Sequence, residues 1–180
     1  MTLWLVRHAK VLAEPGVCYG ALELESDPAA TRAAAAALAG ELPLGIPLRC
    51  SPRQRCRALA VALRSVRADL PVEVVDPRLA EMDFGVWEGQ PWSAIGKEVL
   101  DAWTADFWGH RFGGQQSVAE FMAQVSGAWQ EHHQRQEDAV WITHAGVIRG
   151  CELLSRGLGG ALQSHEWTGT EVPTGAWLRL

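Results

Sequence analysis

The sequence predicts a three-layer α/β/α fold with a mainly parallel central sheet. Short apolar runs of strand length recur along the chain, and the segments between several of them carry helix start signals and helical apolar spacing. Strands that alternate with helices in this way bury both of their sides, which is the condition for a parallel sheet covered on both faces.

The first strand is predicted at residues 3–6, where Leu3, Trp4, Leu5 and Val6 precede the charged pair Arg7-His8. Asp27-Pro28, followed by an alanine-rich stretch to Leu42, reads as a cap, a proline at the first helical position and a run of high helix propensity. A second strand is predicted at 46–50, and Ser51-Pro52 repeats the start signal for a helix to about Ala68. Residues 72–75 form the third apolar run. Between about 82 and 114 the periodicity weakens while Gly, Pro and Trp accumulate, so this segment is expected to be an excursion with short helices over one edge of the sheet. Ser117-Val-Ala-Glu120 is a capping-box pattern, and Phe121, Val125 and Trp129 continue one apolar face to about His133. Strands at 139–143 and 176–180 flank a helix predicted over 146–158.

A chain of 180 residues with 48% hydrophobic and 21% charged residues is expected to form one domain over residues 1–180. The formal charge of −5 argues against nucleic acid as a partner, because polyanion binders carry a basic excess; any phosphate site must be local. Arg7 interrupts what a signal peptide would need as an apolar stretch, and no run is long enough to span a membrane, so a cytoplasmic location is expected. Cys18, Cys50, Cys56 and Cys151 are scattered with no Cys-x-x-Cys pair and are expected to be buried or idle thiols.

In open α/β sheets ligands bind beyond the carboxyl ends of the strands. Arg7-His8 follows the first strand, Ser51-Pro-Arg-Gln-Arg55 the second, Glu81 lies just past the third and His144 follows the fourth. Two histidines, two or three arginines and a carboxylate suit phosphoryl transfer: guanidinium groups pair with phosphate oxygens and a neutral imidazole nitrogen can attack phosphorus. A zinc site would want closely grouped ligands without flanking arginines, and neither a Gly-x-Ser-x-Gly elbow nor a phosphate-binding glycine loop with lysine is present.

Four segments in order carry a family resemblance. Leu5-Val-Arg-His-Ala9 resembles the Arg-His-Gly signature of the histidine phosphatase superfamily, the phosphoglycerate mutase-like fold. Cys50-Ser-Pro-Arg-Gln-Arg-Cys56 is similar to its Ser-x-x-x-Arg-Ala segment, residues 79–89 to its acid-bearing segment, and Thr143-His-Ala-Gly-Val-Ile-Arg149 to its second-histidine segment. The resemblance implies that His8 is the nucleophile, that Arg7, Arg55 and His144 hold the phosphoryl oxygens, and that Glu81 moves the proton. Glu81 would protonate the leaving oxygen and then deprotonate the water that attacks phosphohistidine, with Phe84, Trp87 and Trp92 as the apolar surroundings that raise its pKa. The scheme requires no metal and no cofactor.

Residues 11–23, with Gly16-Val-Cys-Tyr-Gly20, resemble the alpha-ribazole phosphatase branch, which brings Tyr19 forward as a substrate contact. Gly113-Gly-Gln-Gln-Ser117 resembles a pocket-bordering segment of related phosphatases, which makes Ser117 a candidate contact beside its reading as a helix cap. Ala9, Glu23 and the pair Gln115-Gln116 depart from the family pattern. The expected activity is that of a phosphomonoester hydrolase acting on a small phosphorylated metabolite, alpha-ribazole phosphate among them, with a homodimer left open. A mutase of the phosphoglycerate type and a non-catalytic phosphate-binding module are the alternatives. Arg53 and Arg57 are expected to face solvent or to pair with acids such as Glu73 or Asp69, the tryptophans to be core or a cover for a flat leaving group, and His110, His132, His133 and His165 to titrate at the surface.

Overall fold

The computed structural model describes all 180 residues. In chain order it contains β1 (Leu3–Arg7), α1 (Pro28–Ala39), β2 (Leu48–Cys50), α2 (Gln54–Val66), β3 (Val74–Val75), α3 (Lys97–Ala105), α4 (Val118–Arg135), β4 (Ala139–Thr143), α5 (Ala145–Ser155) and β5 (Trp177–Arg179). The strands form one sheet in the order β3-β2-β4-β1-β5, with β1, β2, β3 and β4 parallel and β5 antiparallel to β1.

The alternation of side chains along β1 and β4 divides the core into two layers. Leu3, Leu5, Ala139 and Trp141 point to one face and pack with Phe121, Met122 and Val125 of α4 and Val147, Ile148 and Cys151 of α5. Trp4, Val6, Val140 and Ile142 point to the other and pack with Ala34, Ala35 and Leu38 of α1 and Cys56, Leu59 and Leu63 of α2. Both strands are buried along almost their whole length, which is why they read as unbroken apolar runs rather than alternating ones.

Local chemistry sets the helix ends. The Asp27 carboxylate accepts from Ala29 N–H and Ala30 N–H ahead of Pro28, and Ser117 and Glu120 form the reciprocal capping box. Helix α1 stops at Ala39 rather than Leu42, with Gly40 at its end. Strand β2 begins at Leu48, directly after Pro47, which has no N–H to give to a ladder. Helix α2 begins at Gln54, not at Ser51-Pro52, and its free N-terminal amide is satisfied from a distant loop: Gln54 N–H donates to Glu23 Oε2 at 2.9 Å. Of the backbone amides ahead of the helix, Ser51 Oγ accepts only from Arg53 N–H, at 3.3 Å, which leaves it capacity for a second partner.

The excursion holds α3 and short 3₁₀ turns, and its aromatic residues stack on a buried Phe112. Trp103 lies 4.3 Å from Phe112 and Trp92 5.8 Å from it, ring centroid to centroid. Trp167, far along the chain, packs against Phe107 and Phe121 on the same side.

One expectation is overturned outright. His132 is buried on α4, edge-on to Trp141 with ring centroids 5.5 Å apart, because helical spacing turns it inward with Ala128 and Val125 while His133 faces out. All four cysteines are free and buried. No helix is long and apolar enough to cross a membrane.

Candidate active site

The strand order brings the chemistry together. Strands β2, β4 and β1 are consecutive neighbours running in one direction, about 4.8 Å apart as strands in a sheet must be. The residues that follow them, Ser51, His144 and His8, are therefore neighbours at one edge of the sheet. Backbone bonds extend the ladder into this turn region, with His8 N–H donating to Thr143 O at 3.0 Å and Ser51 N–H to Ile142 O at 2.9 Å. Arg55 comes from the first turn of α2. Glu81 arrives on a segment tied down by Thr143 Oγ1 donating to Leu79 O at 2.7 Å and Gln124 Nε2 donating to Ala80 O at 2.9 Å.

Arg7, His8, Tyr19, Arg55, Glu81 and His144 line one cavity of about 240 Å³, closed further by Val17, Trp92 and Ala145. His8 and His144 meet edge to face with ring centroids 5.2 Å apart, and the Arg55 guanidinium lies 5.2 Å over the Tyr19 ring. Of the catalytic and substrate-binding residues expected from sequence, Ser117 alone lines neither this cavity nor its neighbour; its hydroxyl is engaged with Glu120 as the cap of α4.

The hydrogen bonds assign the tautomers. His8 Nδ1 lies 2.8 Å from Ala9 O, and a carbonyl can only accept, so Nδ1 carries the proton and Nε2 keeps its lone pair with no partner in the protein. Burial, helped by the Arg55 and Arg7 charges, holds the His8 pKa down to about 3, so the ring is neutral at any ordinary pH. Arg55 Nη2 donates to His144 Nδ1 at 3.2 Å, which leaves His144 Nε2–H to donate to Ser51 Oγ at 2.8 Å. Burial and the cations around it keep His144 well below its ordinary value as well.

Glu81 Oε2 accepts from Gly146 N–H at 2.9 Å and Oε1 from Met82 N–H at 3.1 Å. Burial raises its pKa above the ordinary glutamate value of 4.5, overcoming those two bonds and the more distant Arg55 and Arg7 charges. A neutral imidazole, two guanidinium groups and a carboxyl whose burial favours its protonated form thus line one space.

Glu81 and Trp92 also border a second cavity of about 300 Å³, lined by Met82, Phe84, Trp103, Phe107, Val118, Phe121, Trp167 and Arg149. Phe84 and Trp92 are beside Glu81 as expected, whereas Trp87 packs against Phe112 instead. Arg53 pairs with Glu23, while Glu73 and Asp69 belong to Arg64 and Arg67; Arg57 is exposed. Sequence reasoning missed Ser51 as a partner of His144, since its Ser-Pro context reads locally as a helix start. It also missed Trp167 and Arg149, whose places depend on chain folding over long separations.

Residues 3–173 match the histidine phosphatase superfamily (branch 1). The chain belongs to this superfamily. No curated protein matches this chain. Among solved structures, the alpha-ribazole phosphatase from Shigella flexneri is similar to it with a TM-score of 0.77 and 23% identity, covering 99% of this chain and 89% of that one. The protein TTHB049 from Thermus thermophilus is similar with a TM-score of 0.73 and 28% identity, covering 100% of this chain and 93% of that one. The five-stranded, mostly parallel sheet flanked by helices is the phosphoglycerate mutase-like fold expected of this superfamily.

Proposed function

We propose that this member of the superfamily hydrolyses phosphomonoesters through a phosphohistidine on His8. The observation that carries the reading is the unpartnered Nε2 lone pair of a neutral His8 inside a cavity lined by Arg7 and Arg55. Nε2 attacks phosphorus while Arg7 and Arg55 meet the charge on the phosphoryl oxygens, and His144 joins them when its single N–H turns from Ser51 Oγ to a phosphoryl oxygen. The bond from phosphorus to the leaving oxygen breaks, and the proton that Glu81 holds goes to that oxygen. Nδ1–H, bonded to Ala9 O, supports the imidazolium so formed. Water then attacks the phosphorus, Glu81 takes its proton, the N–P bond breaks and His8 returns neutral. The sum is a phosphomonoester plus water giving an alcohol and inorganic phosphate.

The leaving alcohol is placed by the aromatic cavity that shares Glu81 and Trp92 with the phosphoryl cavity, which favours a flat or apolar body on a small metabolite. Alpha-ribazole phosphate has that character, and the likeness to the Shigella flexneri enzyme points the same way. Tyr19, packed against Arg55, is the further substrate contact in this reading.

The test is turnover of a generic aryl phosphate by the wild type and by His8→Ala. Activity in the first and none in the second is expected; equal activity in both would remove His8 from the mechanism. Rates on alpha-ribazole phosphate, 3-phosphoglycerate and sugar phosphates compared side by side then rank the leaving groups. An isomerised phosphoglycerate product would overturn the hydrolase reading.

A further inference from the structure

The Glu88 carboxylate accepts hydrogen bonds from four backbone amides. Gly20 N–H lies 2.8 Å from Oε2 and 3.1 Å from Oε1, Ala21 N–H 2.9 Å from Oε1, Leu22 N–H 3.1 Å from Oε2 and Phe84 N–H 3.0 Å from Oε1. Three of the donors are consecutive residues of the irregular loop between β1 and α1. The carbonyls of that same loop hold the buried Arg55: Nη2 donates to Gly20 O at 2.7 Å and Nη1 to Leu22 O at 2.8 Å. The peptide between Gly20 and Ala21 therefore stands between the two charges, its N–H on the Glu88 carboxylate and its C=O on the Arg55 guanidinium.

Past Leu22 the loop is fastened to α2 at Glu23, whose carboxylate accepts from Gln54 N–H at 2.9 Å and from Arg53 Nη1 at 3.2 Å, but the amides of residues 20–22 themselves have Glu88 as their acceptor. The loop's earlier part is laid along the excursion by Cys18 N–H to Gln90 O, Gly89 N–H to Cys18 O and Trp92 N–H to Gly16 O, but these bonds end before Gly20. At Gly20 the backbone presses so closely on residue 82 that a Cβ would stand 1.8 Å from Met82 O. Beyond that point, only Glu88 gathers the amides of residues 20–22 onto one acceptor, and a peptide polarised from both ends binds each charge better than either alone.

We propose that Glu88 is a positioning residue that holds Arg55 in the phosphoryl cavity through the Gly20–Leu22 peptides. It touches no reacting atom. Its loss turns the loop carbonyls away from Arg55 and lets the guanidinium leave the geometry in which it meets phosphoryl oxygens. The inference rests on Arg55 being a phosphoryl ligand, as in the proposed function, but its test does not depend on turnover.

The experiment is a double-mutant cycle read by orthovanadate binding, followed through tryptophan fluorescence, with aryl phosphate kinetics alongside and the melting temperature of each variant as a control for folding. Glu88→Ala is expected to weaken vanadate binding by roughly tenfold and Arg55→Met by about a hundredfold, with the double variant no weaker than Arg55→Met within about twofold, because residues that act through one contact do not add. Glu88→Gln, which keeps one accepting oxygen, should fall between wild type and Glu88→Ala. Effects that multiply in the double variant, or vanadate affinity unchanged in both Glu88 variants, would overturn the proposal. Tight vanadate binding with no turnover of any ester would defeat the hydrolase reading while leaving this cycle to decide the role of Glu88.

Discussion

Glu81 and Gly146 are held together so closely that no side chain fits between them: Gly146 N–H donates to Glu81 Oε2 at 2.9 Å, and a Cβ on Gly146 would stand 2.2 Å from Oε1. Gly146 has helical backbone in α5, so its need for glycine comes from the carboxylate beside it.

Gly146→Ala is accordingly expected to displace Glu81 without disturbing α5, where alanine has the better helix propensity. Turnover of alkyl phosphates should fall by about 10² or more, the usual worth of a placed general acid, with the melting temperature unchanged or higher. Steady-state kinetics and thermal unfolding of the one variant check both halves.

Glu81→Gln separates the two chemical steps. An aryl phosphate with a good leaving group needs no proton at its oxygen, so phosphorylation of His8 should survive while the attack of water, which needs the Glu81 base, should not. The expected result is a burst of about one phenol per enzyme followed by turnover slowed by about 10² or more. For the wild type on alkyl phosphates, kcat/KM should decline as pH rises through the Glu81 pKa, which lies above the ordinary 4.5. No acid limb from His8 should appear above about pH 4, because its pKa lies down at about 3.

Stability should depend on pH through His132. Burial, with His133 and Arg49 nearby, lowers its pKa below the ordinary 6.5, against the weaker opposite pull of Glu137 and Asp138. The unfolded imidazole takes a proton near pH 6.5 and the folded one resists it, so protonation favours the unfolded chain. Stability is full above about pH 6.5 and falls as pH drops toward the folded value, by up to about 1.4 kcal/mol per pH unit for each such histidine. His8 and His144 add to the same slope. Stability measured by denaturant unfolding should fall less steeply between pH 7 and 5 in His132→Gln, by at most one proton in slope.

Trp92 borders both cavities, is 36% exposed and packs against Phe112 and Phe84, so the melting temperature of its truncation is read beside the kinetics. In Trp92→Ala the KM for naphthyl phosphate is expected to rise about five- to tenfold, the worth of about 1 kcal/mol of aromatic contact. Glycerol phosphate, which does not reach the aromatic cavity, should keep its KM.

Much of this fold is legible in the sequence where one local rule governs. β1 and β4 are unbroken apolar runs because both of their sides are buried, and α4 announces itself through Ser117, Glu120 and one apolar face. The adjacency of His8, Arg55, Glu81 and His144 follows from residues placed after strands, once β2, β4 and β1 are neighbours. Signals that depend on distant partners are not legible. Ser51-Pro52 looks like a cap, yet Glu23 takes the first amide of α2 from thirty-one positions away and Ser51 Oγ, besides accepting from Arg53 N–H, bonds His144. Glu88 finds three of its four amides at separations of 66 to 68 residues, beyond the reach of any local pattern, and His132 is buried where Trp141 lies under that turn of α4.

Phosphoryl transfer through His8 is tested most directly by locating the covalent intermediate. Glu81→Gln is mixed with an aryl phosphate, quenched in base, digested and mapped by mass spectrometry under conditions that retain phosphoramidates. One phosphoryl group, acid-labile and base-stable, is expected on the peptide that carries His8, at its Nε2, and none in the additional presence of His8→Ala. A label on His144, or rapid turnover with no labelled histidine, would contradict a phosphohistidine on His8.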